Sequence, residues 1–180
     1  PLLARPARLA AALALFLGVS AALLWPLLAA GLGSQSGLLA YAGRWEMNDS
    51  VFMLLAAGLG QTPARILTAA LVLAWVLWLA RQDESVPQDL PRRCLLAVAG
   101  LFLLSPTQFP WYYLWLLPLL AVWPLAPLLW LTLLLPLYYL RFWLAAWGLT
   151  GLYDRWLVWI IYLPVWAGLL WQWRAGRRTA

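Results

Sequence analysis

The sequence predicts an all-α, polytopic transmembrane helix bundle of about six spans with one short interfacial helix, forming a single domain over residues 1–180. Two observations carry this. Of the 180 residues, 66% are hydrophobic and 10% charged, a balance that leaves a soluble domain of this size too much apolar surface to bury. The apolar runs also recur to the C-terminus, whereas a secretory signal would be a single short stretch near the start.

A bilayer core about 30 Å thick takes roughly 20 helical residues, and Leu9 to Leu28 is the first such run, entered past Arg5 and Arg8 and ending near Trp25-Pro26. Gly31 to Ser50 is too polar to lie in lipid. Val51 to Leu59 is apolar but about half a span long, and Gly58, Gly60 and Pro63 separate it from the run Ile66 to Ala80. It reads as a short helix lying at the interface or re-entering the protein, with Asn48, Asp49 or Ser50 as its N-cap; one long kinked helix from Val51 to Ala80 is the alternative. Arg81 to Arg93 mixes Arg, Asp, Glu and proline and reads as a solvated connector.

Three crowded runs follow, Cys94 to Leu104, Trp111 to Trp123 and Leu125 to Trp143, with Pro118, Pro124, Pro127 and Pro136 marking kinks and turns; five spans are the alternative to six. Trp156 to Trp173 is the last run, closed by Arg174, Arg177 and Arg178. Placing both ends in the cytoplasm puts eight of the twelve arginines there and leaves Arg44, Arg65, Arg141 and Arg155 outside, which sets the orientation. The net charge of +6 is explained by these flanks rather than by nucleic acid, which is not an expected partner. The tryptophans near run ends fit interfacial belts.

The chain has no His and one cysteine, Cys94, so imidazole catalysis and intrachain disulfides are excluded and the thiol reads as a packing or interfacial residue. With this topology, polar material converges on the outer face from Gly31 to Ser50, Ser105 to Pro110 and Leu144 to Arg155. Arg44, Glu46, Asn48 and Asp49 place two carboxylates and a guanidinium within six residues, which suits a hydroxyl-rich or phosphate-bearing ligand and equally an interfacial ion pair with a helix cap. Arg141, flanked by Tyr138, Tyr139, Phe142 and Trp143, fits a lipid phosphate or a snorkelling side chain. Asp154-Arg155 reads as a loop pair.

Two segments extend the reading. Leu103-Leu-Ser-Pro-Thr-Gln-Phe-Pro-Trp-Tyr-Tyr-Leu-Trp-Leu-Leu-Pro118 resembles the Ser-Pro-Thr-x-x-Pro-Trp-Tyr-x-x-Trp-x-x-Pro signature of bacterial GT-C membrane glycosyltransferases, the polyprenol-phosphate-dependent, mannosyltransferase-like members in particular. Arg44 to Phe52 is similar to the Trp-x-x-Asn-Asp/Glu-Ser-x-Phe pattern of the same proteins. The resemblance covers about Tyr41 to Trp143. Such proteins often carry His where Gln108 or Phe109 stands here, a departure that weakens any proton-transfer role for that loop.

The resemblance implies a multi-pass protein of the bacterial inner (cytoplasmic) membrane that transfers a sugar from a polyprenyl-phosphate donor to an acceptor hydroxyl at the outer face. It implies that Arg141 or Arg44 binds phosphate, that Asn48, Asp49 and Gln108 hydrogen-bond sugar hydroxyls, and that Trp111 or Tyr112 stacks on a ring. A divalent metal is compatible with such chemistry, and the sequence assigns it no ligands. The catalytic aspartate of the family lies in a first outer loop near the N-terminus, and no run here has that position. This chain is therefore expected to be the C-terminal half of a larger protein, inactive without its N-terminal half, with Glu46 and Asp49 as the only local candidates for a base. Capping bonds to backbone amides would lower the basicity of Asp49. A lipid-linked sugar transporter or flippase, or a non-catalytic membrane scaffold, are the alternatives.

Overall fold

The computed structural model describes residues 6–31, 37–82 and 89–178. Arg5, the polar residues 32–36 and the middle of the charged connector, 83–88, lie outside them. The described residues are helical nearly throughout and form no strand; the closest approach to one is an isolated parallel bridge between Met47 and Thr107.

Helix α1 (Pro6–Ala29) is apolar on every face and buries no side chain against the rest of the chain, as suits a helix solvated by hydrocarbon. A short amphipathic helix α2 (Gly37–Arg44) precedes α3 (Val51–Leu59) and α4 (Gln61–Arg81). The last two are separate helices: Gly60 sits at φ 84°, a left-handed conformation that glycine adopts without a Cβ penalty, and it interrupts the helical path that the long-kinked-helix reading required.

Helix α5 (Asp89–Leu104) returns along α4. Its buried residues Leu95, Ala99, Phe102 and Leu103 fall at i, i+4, i+7 and i+8, a single helical stripe. Trp75 of α4 donates its indole N–H to the Leu96 carbonyl at 2.8 Å, and Gly100 makes room for that ring: a Cβ there would lie 2.6 Å from Trp75 Cδ1. At the charged end Arg93 donates to the Gln82 carbonyl at 2.6 Å, and Cys94 beside it is exposed, in keeping with an interfacial residue.

Beyond the loop after α5, a 3₁₀ turn (Tyr112–Trp115) leads to α6 (Leu117–Val122). The next helical run comprises α7 (Ala126–Leu134), a 3₁₀ turn (Leu135–Tyr139) and α8 (Leu140–Ala146). Pro118, Pro127 and Pro136 each stand in the first turn of their segment, where a missing N–H costs nothing, so here proline starts helical segments more than it kinks them. Gly148 at φ 69° turns the chain into α9 (Thr150–Leu152), a π-helical turn (Tyr153–Leu157) and α10 (Val158–Arg178). The expected loop Leu144 to Arg155 is thus mostly helical, and Asp154 and Arg155 lie on a π turn. Helix α10 closes on α7 through Gly168, where a Cβ would stand 3.0 Å from Pro127 Cγ. Its buried face is Val158, Ile161, Tyr162 and Val165, again at helical spacing.

Four helical segments among the described residues are long and apolar enough to cross a membrane: Pro6–Ala29, Gln61–Arg81, Ala126–Ala146 and Thr150–Ala175. Large apolar side chains on them face outward, among them Leu15, Leu23, Leu133 and Trp171. The two other runs expected to span are shorter. Helix α5 has 16 residues, about 24 Å of rise, and Trp111 to Trp123 divides into a 3₁₀ turn and the six-residue α6.

Candidate functional site

At the end of the bundle away from the charged connector, the segments before α3 and after α5 pair through their backbones. Met47 N–H donates to the Pro106 carbonyl at 2.9 Å, and Gln108 N–H donates to the Met47 carbonyl at 3.0 Å. The two segments that carry the family resemblance are therefore in contact.

Asn48 ties this pair to α10. It is buried and holds φ 55°, a conformation that asparagine tolerates better than most residues. Its amide nitrogen donates to the Gln108 carbonyl at 2.9 Å and to the Tyr162 hydroxyl at 3.3 Å, and its carbonyl accepts from the Tyr153 hydroxyl. Asn48, an expected sugar contact, thus has three bonds inside the protein. Gln108, fully buried, donates through Nε2 to the Leu103 and Ser105 carbonyls, both at 3.0 Å, while its Oε1 makes no hydrogen bond. Ser50 takes the cap position of α3, but its hydroxyl accepts from the Trp166 indole at 3.0 Å in place of capping the helix.

Around this knot lies a cavity of about 280 Å³ lined by Glu46, Met47, Asn48, Asp49, Met53, Arg141, Asp154 and Val158. It gathers the three carboxylates expected on the outer face, together with one of the expected phosphate-binding arginines. Arg141 faces Asp154 at 3.7 Å, an ion pair beyond hydrogen-bond reach, so the partner shown for Asp154 is Arg141, where the sequence suggested its chain neighbour Arg155. Buried Nε of Arg141 and buried Oδ1 of Asp49 make no hydrogen bond.

The carboxyl of Asp49 is pushed up from 3.8 to about 7. Burial is the main cause, and the neighbouring charge of Glu46 adds to it; the backbone N–H groups of Met53 and of Asp49 itself, and the Arg65 guanidinium, pull the other way. The expected loss of basicity from capping bonds is therefore outweighed: those bonds exist, but desolvation is larger.

Glu46 accepts from the Gln61 side-chain amide at the start of α4 and also borders a second opening of about 360 Å³, with Arg44, Trp45, Met47 and Phe109. Arg44 and Arg141 thus line separate cavities that share Glu46 and Met47 as wall residues. Trp111 lies half exposed, stacked on Phe109 at 4.4 Å, and Tyr112 packs edge-on against the same ring at 5.7 Å; neither borders the Asp49 cavity. Among the described residues no cluster of three or more His, Cys, Asp or Glu has the arrangement of a metal site.

Sequence reasoning did not find Tyr153, Tyr162 or Trp166 as site residues. The one signal for them was chemical: a tyrosine hydroxyl or indole N–H inside an apolar run needs a buried partner. Comparison with known protein families, with curated proteins and with solved structures finds no match to this chain.

Proposed function

We propose that the cavity bounded by Asp49 and Arg141 binds a polyprenyl-phosphate-linked sugar at the outer face of the bacterial inner membrane, and that the protein transfers the sugar to an acceptor hydroxyl. One observation carries the reading: buried Nε of Arg141, with only Asp154 at 3.7 Å beside it, and buried Oδ1 of Asp49 border the same cavity, and neither makes a hydrogen bond. Buried polar groups are rarely left so, because each costs about 1–3 kcal/mol. A donor phosphate oxygen against Arg141 and the proton of an acceptor hydroxyl against Asp49 satisfy the two together.

Size and surroundings agree with this. At roughly 30 Å³ per water molecule, 280 Å³ equals about nine waters, in the size range of one sugar unit. The flanking apolar helices suit a lipid-borne donor. The resemblance of Arg44 to Phe52 and Leu103 to Pro118 to GT-C signatures supports the same chemistry, and their backbone pairing gives those motifs a common place. In this reading α5 and the broken segment Tyr112–Val122 are two short crossings beside the four long ones, both termini are cytoplasmic, and the Asp49 cavity opens outward.

The test uses the full-length natural protein in lipid nanodiscs with polyprenyl-phosphate mannose and glucose and an alkyl-glycoside acceptor. Sugar transfer with stoichiometric release of polyprenyl phosphate is expected, weakened at least tenfold in donor affinity by Arg141→Ala. Movement of the intact donor between leaflets without cleavage would instead identify a transporter, and neither binding nor cleavage a scaffold.

A further inference from the structure

Three carboxylates border the cavity, and their surroundings separate them. Glu46 already accepts a hydrogen bond from the Gln61 amide. Asp154 is half exposed and faces Arg141 at 3.7 Å. Asp49 is 4% exposed, and its Oδ1 has no partner. It is also the carboxylate attached most firmly to the frame, since Asn48 on one side and Ser50 on the other are bonded to α10 through Tyr162 and Trp166.

We infer that Asp49 is the proton acceptor of the transfer reaction, with Oδ1 receiving the proton of the acceptor hydroxyl. The inference rests on the transferase reading above and departs from the expectation that the base lies outside this chain. In the step, the hydroxyl oxygen forms a bond to the anomeric carbon as the bond from that carbon to the phosphate oxygen breaks. The electron pair of the broken bond leaves with the polyprenyl phosphate, beside the Arg141 guanidinium, and the hydroxyl proton passes to Asp49. Negative charge thus moves from the carboxylate to the phosphate across the cavity, toward the cation.

Glu46 has a positioning role: its charge beside Asp49 favours proton uptake there, while its own bond to Gln61 keeps it on the cavity wall. A base matched to the working pH accepts a proton more effectively than an ordinary carboxylate, whose conjugate acid is too strong.

The experiment measures turnover and donor binding from pH 5 to 9 for full-length wild type, Asp49→Asn and Asp49→Glu in nanodiscs, with polyprenyl-phosphate mannose as probe. Wild-type kcat/KM should rise with pH and level off near pH 7. Asp49→Asn should lose at least 100-fold in kcat while binding donor within threefold of wild type, and Asp49→Glu should recover part of the rate with a displaced pH profile. Turnover by Asp49→Asn within threefold of wild type, or retention of the same pH limb, would overturn the assignment while leaving the transferase reading intact. A wild type that binds the donor but releases no polyprenyl phosphate would overturn both. Loss of donor binding in Asp49→Asn, with the variant melting at or above wild type, would make Asp49 a binding residue and also overturn the assignment.

Discussion

Replacing Asp49 by asparagine should make the protein more stable relative to wild type as pH rises. In the fold this carboxyl titrates at about 7 against an ordinary 3.8, so the native state holds the proton more tightly than the unfolded chain. Stability from this group is fully present below about pH 4 and is lost as pH rises to about 7. At about 1.4 kcal/mol per unit, the total loss is about 4.5 kcal/mol, of which about 2.5 kcal/mol falls between pH 5 and pH 8. The groups acting on the carboxyl are Glu46 from its own loop, which adds to the loss, and Arg65 from α4, which reduces it; Arg141 and Asp154 share the cavity, and Tyr162 of α10 lies within electrostatic reach. Asparagine is neutral throughout and keeps the shape. At roughly 2–4 °C per kcal/mol for a chain of this size, the difference in Tm between Asp49→Asn and wild type should grow by about 5–10 °C from pH 5 to pH 8. Thermal unfolding in detergent, followed by tryptophan fluorescence, measures it. Parallel Tm curves for the two proteins across that range would refute the burial argument.

Glu46→Gln should move the wild-type stability transition to lower pH by removing the neighbouring charge, readable in the same melts. Asn48→Ala should cost about 2–4 kcal/mol, because the Tyr153 and Tyr162 hydroxyls and the Gln108 carbonyl lose a partner together and alanine does not favour φ 55°; a Tm within 2 °C of wild type would contradict this. Gly100→Ala should destabilise by about 1–3 kcal/mol through the Trp75 ring, seen as a lowered Tm and a changed tryptophan spectrum. For topology, native Cys94 should resist a membrane-impermeant maleimide added to intact cells, whereas a cysteine at Leu149 in a Cys94→Ser background should react; the reverse pattern would invert the proposed orientation.

Much of the helical layout was legible because the bilayer imposes a length that composition reveals directly. The runs beginning near Leu9, Ile66, Leu125 and Trp156 all correspond to long helices, and Gly60 marked the break before α4. What could not be read was how the short elements end. Asp154 and Arg155 looked like loop residues, yet the π turn keeps them helical, since two charges do not themselves break a helix. The grouping of outer carboxylates with Arg141 followed from topology, and the structure places Glu46, Asp49, Arg141 and Asp154 around one cavity. For Asn48 and Gln108 the sequence did not show their internal partners, Tyr153 and Tyr162 for Asn48 and the Leu103 and Ser105 carbonyls for Gln108, because these depend on packing that no local pattern encodes. Asp49 shows the same limit, because capping is a local effect visible in sequence while desolvation comes from distant elements.

The central claim is that the cavity between Asp49 and Arg141 receives the phosphate and sugar of a lipid-borne donor. Its most direct test is equilibrium binding of polyprenyl-phosphate mannose to full-length protein in nanodiscs, comparing wild type with Arg141→Ala and Arg141→Lys, each confirmed as folded by its melt. The account predicts saturable binding by wild type, at least tenfold weaker binding by Arg141→Ala, and incomplete recovery by lysine, which cannot reproduce the guanidinium fork. Equal donor affinity in all three folded proteins would contradict it.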